Sequence, residues 1–158
     1  MDLDGAALRG FADLTLALER ECRLIEELHH AVARQREAVP QGDLQGMETS
    51  LRLASRTLLT LQENRRYRAT LLHRLVGDPA HPLADLDRRF EAALPETFVA
   101  ARLRMQSSAA GVAEEVWRNQ EVLLAALRER EALLQELLSG GRPMVQNEAA
   151  PPAARSEG

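Results

Sequence analysis

Apolar residues recur at alternating spacings of three and four along three long stretches of this chain, and none of the three contains proline. This spacing is typical of α-helices that each carry one apolar stripe. The first stretch covers about residues 6–39. Its stripe consists of Phe11, Leu14, Leu18, Ile25, Leu28, Val32 and Val39, with Glu21 and Gln35 at two further positions.

Proline and glycine separate the three stretches, as expected where helices end. The second stretch, about 44–76, follows the turn Pro40-Gln41-Gly42, and Asp43 is placed to cap it. The third runs over about 96–138. Because only about four residues join the first two helices, we expect them to form an antiparallel hairpin.

The remaining segments are a linker and a tail. Within the linker, 77–95, the range Leu83–Leu94 has the pattern of a short helix. The tail, 139–158, is rich in glycine and proline and poor in large apolar residues, which predicts disorder. We therefore assign residues 1–138 to one helical domain.

Composition predicts the fold class. The chain has 27 Leu and 25 Ala but only one Ile and eight Val, and 3% of its residues are aromatic. Strands favour the β-branched and aromatic residues that are scarce here. The sequence therefore predicts an all-α protein, an antiparallel three-helix bundle or coiled coil of long helices.

Charge alternates between the predicted helices. Residues 1–39 carry five Arg and eight acids (net −3), residues 40–76 six Arg and three acids (net +3), and residues 77–138 seven Arg and eleven acids (net −4). A basic helix between two acidic ones suits the bundle. The overall charge of −4 gives no electrostatic reason to expect nucleic acid or an anionic membrane as a partner.

The hairpin also predicts which residues face each other. We expect three apolar residues of the first helix to pack against three of the second: Leu18, Ile25 and Val32 against Leu51, Leu58 and Leu61. Truncating Leu58 to Ala should then lower the thermal midpoint. Glu21 comes level with Arg65, which together with Arg66 and Arg68 forms the only compact basic group of the chain. This pairing is either a polar layer or two solvated side chains.

Catalytic and metal-binding patterns are missing from the sequence. The histidines His29 and His30 are adjacent, and neither His73 nor His81 has a partner at the spacing of a helical zinc site. No phosphate-binding loop or nucleophile motif occurs. We predict that the protein is not an enzyme and uses no metal or cofactor.

Localisation follows from three further observations. The first ten residues lack the apolar run of a secretory signal, and no stretch of 18 apolar residues exists to span a bilayer. A single cysteine, Cys22, cannot form an internal disulfide. We expect a cytoplasmic protein without membrane insertion.

Leucines are in excess at the end of the third helix, where 122–138 reads VLLAALREREALLQELL. These leucines cover most of the helix circumference, and the expected register leaves 128–138 projecting past the Pro40 turn. They then form an apolar surface that requires a partner, unless the linker shifts the register or the first helix covers them. The residues predicted to bind this partner are Leu123, Leu124, Leu127, Leu134, Leu137 and Leu138.

Several short motifs resemble the FlgN-type flagellar export chaperones. They are the turn Gly42-Asp43-Leu44, the pair Met47-Glu48 in the Arg-rich second helix, and Asn119 ahead of the paired leucines Leu123 and Leu124. The likeness covers about residues 11–138. The third helix contains no tyrosine, so the resemblance assigns no gate-docking residue.

The resemblance implies a cytoplasmic chaperone. Such a protein binds the C-terminal segments of flagellar hook-filament junction proteins, prevents premature assembly and delivers them to the flagellar type III export gate. The alternative is a coiled-coil scaffold or self-associating adaptor without an export role.

Overall fold

The computed structural model of the protein describes residues 3–90 and 93–139, and within these ranges it contains helices and no strand. The all-α prediction is confirmed. The helices are α1 (Gly5–Gln41), α2 (Leu44–Val76), α3 (Leu86–Phe90), which a single 3-10 turn (Leu83–Asp85) precedes, and α4 (Glu96–Ser139). Of the predicted disordered tail, Ser139 is helical and 140–158 lies outside the described residues.

Polar caps and left-handed glycines fix the helix ends. The Asp4 carboxylate accepts a hydrogen bond from the Ala7 amide at 2.7 Å, and Asp43 caps α2, as predicted, by accepting from the Gly46 amide at 2.9 Å. Helix α1 continues through Pro40 and ends two residues beyond the predicted bound. Gly42, at φ 65°, then terminates it by donating its amide to the α1 carbonyls.

The chain divides into two compact units, one ending at Ala126 and the other beginning at Leu127. In the first unit, α1 and α2 run antiparallel: the Asn64 side-chain amide donates to the carbonyl of Ala17, and Gly10 lies against Leu75. Helix α4 runs parallel to α1, since residue numbers rise together where Phe11 meets Phe98 and Gln35 meets Asn119.

Aromatic side chains form the core at the N-terminal end of α1. The Phe11 and Phe98 rings are fully buried and meet edge to face at 5.1 Å, while Phe90 approaches Phe11 at 5.0 Å. The linker contributes Leu86 and Leu94 to the same core. It is therefore a packed element of the first unit, which its proline content did not predict.

One part of the predicted hairpin core is wrong. Leu51 and Leu58 are exposed, whereas Leu61 is buried as expected. The buried face of α2 keeps Leu61 but has Ser50 and Thr57 in place of Leu51 and Leu58, so it is rotated by about half of the 100° between successive residues. Its members are Ser50, Ala54, Thr57, Leu61, Asn64, Leu71 and Leu72.

Two truncations on α2 test this rotation. Leu61 is 5% exposed and Leu58 is 48% exposed. We expect Leu61→Ala to lower the free energy of unfolding by about 2–5 kcal/mol, because it opens a cavity. Leu58→Ala should cost about 1 kcal/mol or less. Urea unfolding of both variants measures the difference, and equal losses would contradict the rotation described here.

Candidate partner-binding surface

The six leucines predicted to bind a client all lie on α4. Leu123 is half-buried. The other five are exposed, from 53% for Leu124 to 80% for Leu138, and every residue from Leu127 to Ser139 is exposed. Contiguous exposed apolar side chains of this kind typically mark interaction sites. These six side chains offer apolar contact to a partner.

A second group of exposed leucines, on α2, was missed by the sequence analysis. Leu44, Leu51 and Leu58 recur every seven residues, and Leu59 lies beside Leu58. The seven-residue spacing suits a core row, which is why the sequence predicts that Leu51 and Leu58 are buried. The sequence does contain a signal for the correct buried face of α2. Ser50, Thr57 and Asn64 form a second row with the same seven-residue spacing, and the Asn64 side-chain amide can donate a hydrogen bond to the backbone of a neighbouring helix.

A buried carboxylate links α1 and α2. Glu21 is 1% exposed; its Oε1 lies 3.1 Å from Arg65 Nε, and its Oε2 lies 2.9 Å from Arg68 Nη1. The polar layer predicted for Glu21 and Arg65 is therefore confirmed. Arg68 completes it, and Asn64 donates to the Ala17 carbonyl at 3.0 Å beside it. Two arginines of the basic group are thus committed to a contact within the bundle.

A second polar contact joins α1 and α4 in the first unit. Glu115 is buried, and its Oε1 lies 2.9 Å from Arg36 Nη1. One turn later, the Asn119 side-chain amide donates to Gln35 Oε1 at 3.0 Å. The neighbouring residue Val116 is exposed, because α4 turns Glu115 inward.

Glu26 is the centre of a third polar cluster. Its Oε1 accepts from the Cys22 thiol at 3.4 Å, from Arg104 Nη2 at 3.3 Å and from Ser108 Oγ at 3.5 Å. The hydrogen bond from Cys22 is the largest cause that lowers the pKa of Glu26 below its ordinary value, and Arg104 and Ser108 act in the same direction against partial desolvation. The ionised carboxylate therefore holds α4 against α1.

Residues 3–90 and 93–139 contain neither a metal-binding cluster nor a membrane-spanning helix. No group of three or more His, Cys, Asp and Glu side chains in this part of the chain is placed to hold a metal ion. None of the helices described combines the length and the apolar character needed to cross a bilayer.

Comparison with known proteins gives no relative: no family model, no curated protein and no solved structure matches the chain.

The buried carboxylate can be tested with one neutral substitution. Glu21→Gln keeps the shape but leaves Arg65 and Arg68 without their anion, so we expect the free energy of unfolding to fall by about 1–3 kcal/mol. Glu19→Gln, on an exposed position of the same helix, is the control and should change little. Chemical denaturation compares the two, and equal stabilities would mean that the buried pair contributes nothing.

The Glu26 cluster predicts a pH dependence. A lowered pKa in the folded state means that ionised Glu26 stabilises the fold above the unfolded-state pKa, and this contribution is lost as pH falls through the folded-state pKa. The stability difference between wild type and Glu26→Gln should therefore shrink on acidification. Thermal unfolding across the acidic range measures it. Glu27→Gln, exposed and adjacent, is the control, and a pH-independent Glu26 difference would contradict the assignment.

Proposed function

We propose that this protein is a non-enzymatic, cytoplasmic export chaperone of the FlgN type. It binds the C-terminal helical segments of flagellar hook-filament junction proteins, prevents their premature assembly and delivers them to the flagellar type III export gate. The observation that carries the proposal is the run of exposed leucines at the end of α4: Leu124, Leu127, Leu134, Leu137 and Leu138.

Exposed leucines suit the task of holding an amphipathic client helix reversibly. A client of this kind lays its apolar face against leucines while its polar face stays in water. Each leucine buried in this way contributes about 1.5–3 kcal/mol to the binding free energy. The loss of translational and rotational freedom on association costs about 4–15 kcal/mol, which offsets part of that gain. A handful of leucines therefore provides binding that is strong enough to protect a client and weak enough to release it.

The polar residues around α4 support the same assignment. Asn119, one of the residues in the resemblance, is buried against Gln35 and precedes Leu123 by one helical turn. The helix is therefore anchored by a directional hydrogen bond just before the leucines begin. A preorganised helix loses less conformational entropy when a client binds.

Substitution of two exposed leucines separates binding from stability. Replacing Leu134 and Leu138 with Ser removes apolar contacts to a partner without opening an internal cavity, so affinity should fall at least about tenfold while the thermal midpoint barely moves. Calorimetry with a C-terminal peptide of a hook-filament junction protein from the same organism measures the affinity, and thermal unfolding of the variant measures its stability.

A matched control comes from exposed leucines elsewhere. Leu16 and Leu103 are 64% and 58% exposed, close to the 60% of Leu134, and their double Ser variant should bind the peptide normally. Intact binding in the Leu134/Leu138 variant would show that the client surface is misassigned. Absence of binding in the wild-type chain would favour the coiled-coil scaffold instead.

A further inference from the structure

A cleft of about 410 Å³ lies between α2, the linker and α4, within the first unit. Small-molecule sites in proteins usually measure about 300–1,000 Å³. The apolar part of the wall includes Leu72 and Met105, which are buried, and Leu83, which packs against the same core. Among the described residues that line the cleft, none is Asp or Glu. The cleft can therefore hold an apolar group without placing it beside an anion.

Two arginines of α2 form the basic part of the wall. Arg65 and Arg68 both line the cleft, and both contact Glu21, Arg65 through Nε at 3.1 Å and Arg68 through Nη1 at 2.9 Å. A guanidinium carries five N–H donors, so each arginine keeps donors beyond the nitrogen that faces Glu21. Two positive charges beside one carboxylate leave one positive charge in excess. Because Glu21 already holds these side chains in place, they lose less conformational entropy when a ligand binds.

The linker and α4 add two further polar side chains to the wall, His81 and Gln106. His81 Nδ1 lies 3.9 Å from Asp78 Oδ2, whereas Nε2 is buried and has no hydrogen-bond partner among the described residues. A buried polar atom without a partner is unfavourable. An acceptor oxygen bound in the cleft would complete the hydrogen bonding of His81 when Nε2 carries the proton.

We propose that this cleft binds a small organic monocarboxylate whose carboxylate pairs with Arg65 and Arg68. Its apolar body packs against Leu72, Leu83 and Met105. A carboxylate matches the fork of N–H donors that arginine presents, and its single charge matches the single positive charge in excess. A phosphate dianion would bring a second charge that the arginine pair does not neutralise. A free acid and the C-terminus of a peptide both supply this chemistry.

Calorimetry on the full-length chain tests the ligand class. We expect 3-phenylpropionate to bind at least about tenfold more tightly than acetate, which lacks the apolar body, and than 3-phenylpropionamide, which lacks the charge. Phenyl phosphate should bind more weakly than 3-phenylpropionate. A tripeptide that ends in phenylalanine tests the second source, and binding of this peptide alone would assign the carboxylate to a chain end. Failure of both acids to bind, equal affinity for the amide, or tighter binding of phenyl phosphate overturns the proposal.

Two neighbouring arginines distinguish a site in the cleft from a general effect of positive charge. Arg65→Gln removes a charge from the cleft, and Arg66→Gln removes the same charge from an exposed position that does not line it. We expect the first variant to weaken binding of the acid at least about tenfold and the second to change it less than about twofold. Arg65→Lys keeps the charge without the fork and should also weaken binding. Equal losses in the two Gln variants overturn the proposal.

A second substitution leaves the contacts of Glu21 intact. Ala69→Leu places a larger side chain in the wall of the cleft without changing any charge, so it should weaken binding of the acid at least about tenfold. Ala110→Leu, at an exposed position of α4 outside the cleft, is the control and should bind normally. Thermal unfolding establishes that each variant is folded at the temperature of the binding measurement. Wild-type affinity in the Ala69→Leu variant would show that the acid binds elsewhere and overturns the proposal.

Discussion

The Glu21 carboxylate sets the rotation of the helix that packs against it. A carboxylate that is 1% exposed is strongly unfavourable unless cations reach it, and Arg65 and Arg68 do so from α2. Both arginines extend from the edge of the contact, and Asn64 lies between the helices where it donates to the Ala17 carbonyl. With Asn64 inward, the residues seven and fourteen positions earlier, Thr57 and Ser50, also face α1.

This constraint explains why the sequence predicts the helices well and one of their faces badly. Helix ends depend on local signals, such as Asp43 at a cap and Gly42 in a left-handed conformation, and these are legible in the sequence. The rotation of α2 about its axis depends instead on the contact between Arg65 and Glu21, which are 44 positions apart in the sequence. A leucine row at Leu51 and Leu58 and a polar row one residue earlier have the same period, so periodicity alone selects the more apolar row.

The candidate surface was accessible to sequence reasoning for a different reason. On α4, the leucines from Leu123 to Leu138 exceed what a single row can bury, so their exposure follows from number and spacing. On α2, Leu51, Leu58 and Leu61 have the spacing of one apolar face, and nothing local distinguishes Leu58 from Leu61. On α4, nothing local predicts the burial of Glu115, because that burial depends on Arg36 of α1.

Buried polar side chains and exposed leucines are two consequences of the same packing. Where Thr57 and Glu115 face inward, Leu58 and Val116 face water, and each such exchange gives up apolar burial within the bundle. Such an exchange lowers stability relative to an apolar contact, but a polar contact specifies one rotation of the helices. Phe11 and Phe98 supply the apolar packing at one end of the first unit. The polar contacts along α1 can therefore specify orientation, while leucines such as Leu58 remain at the surface.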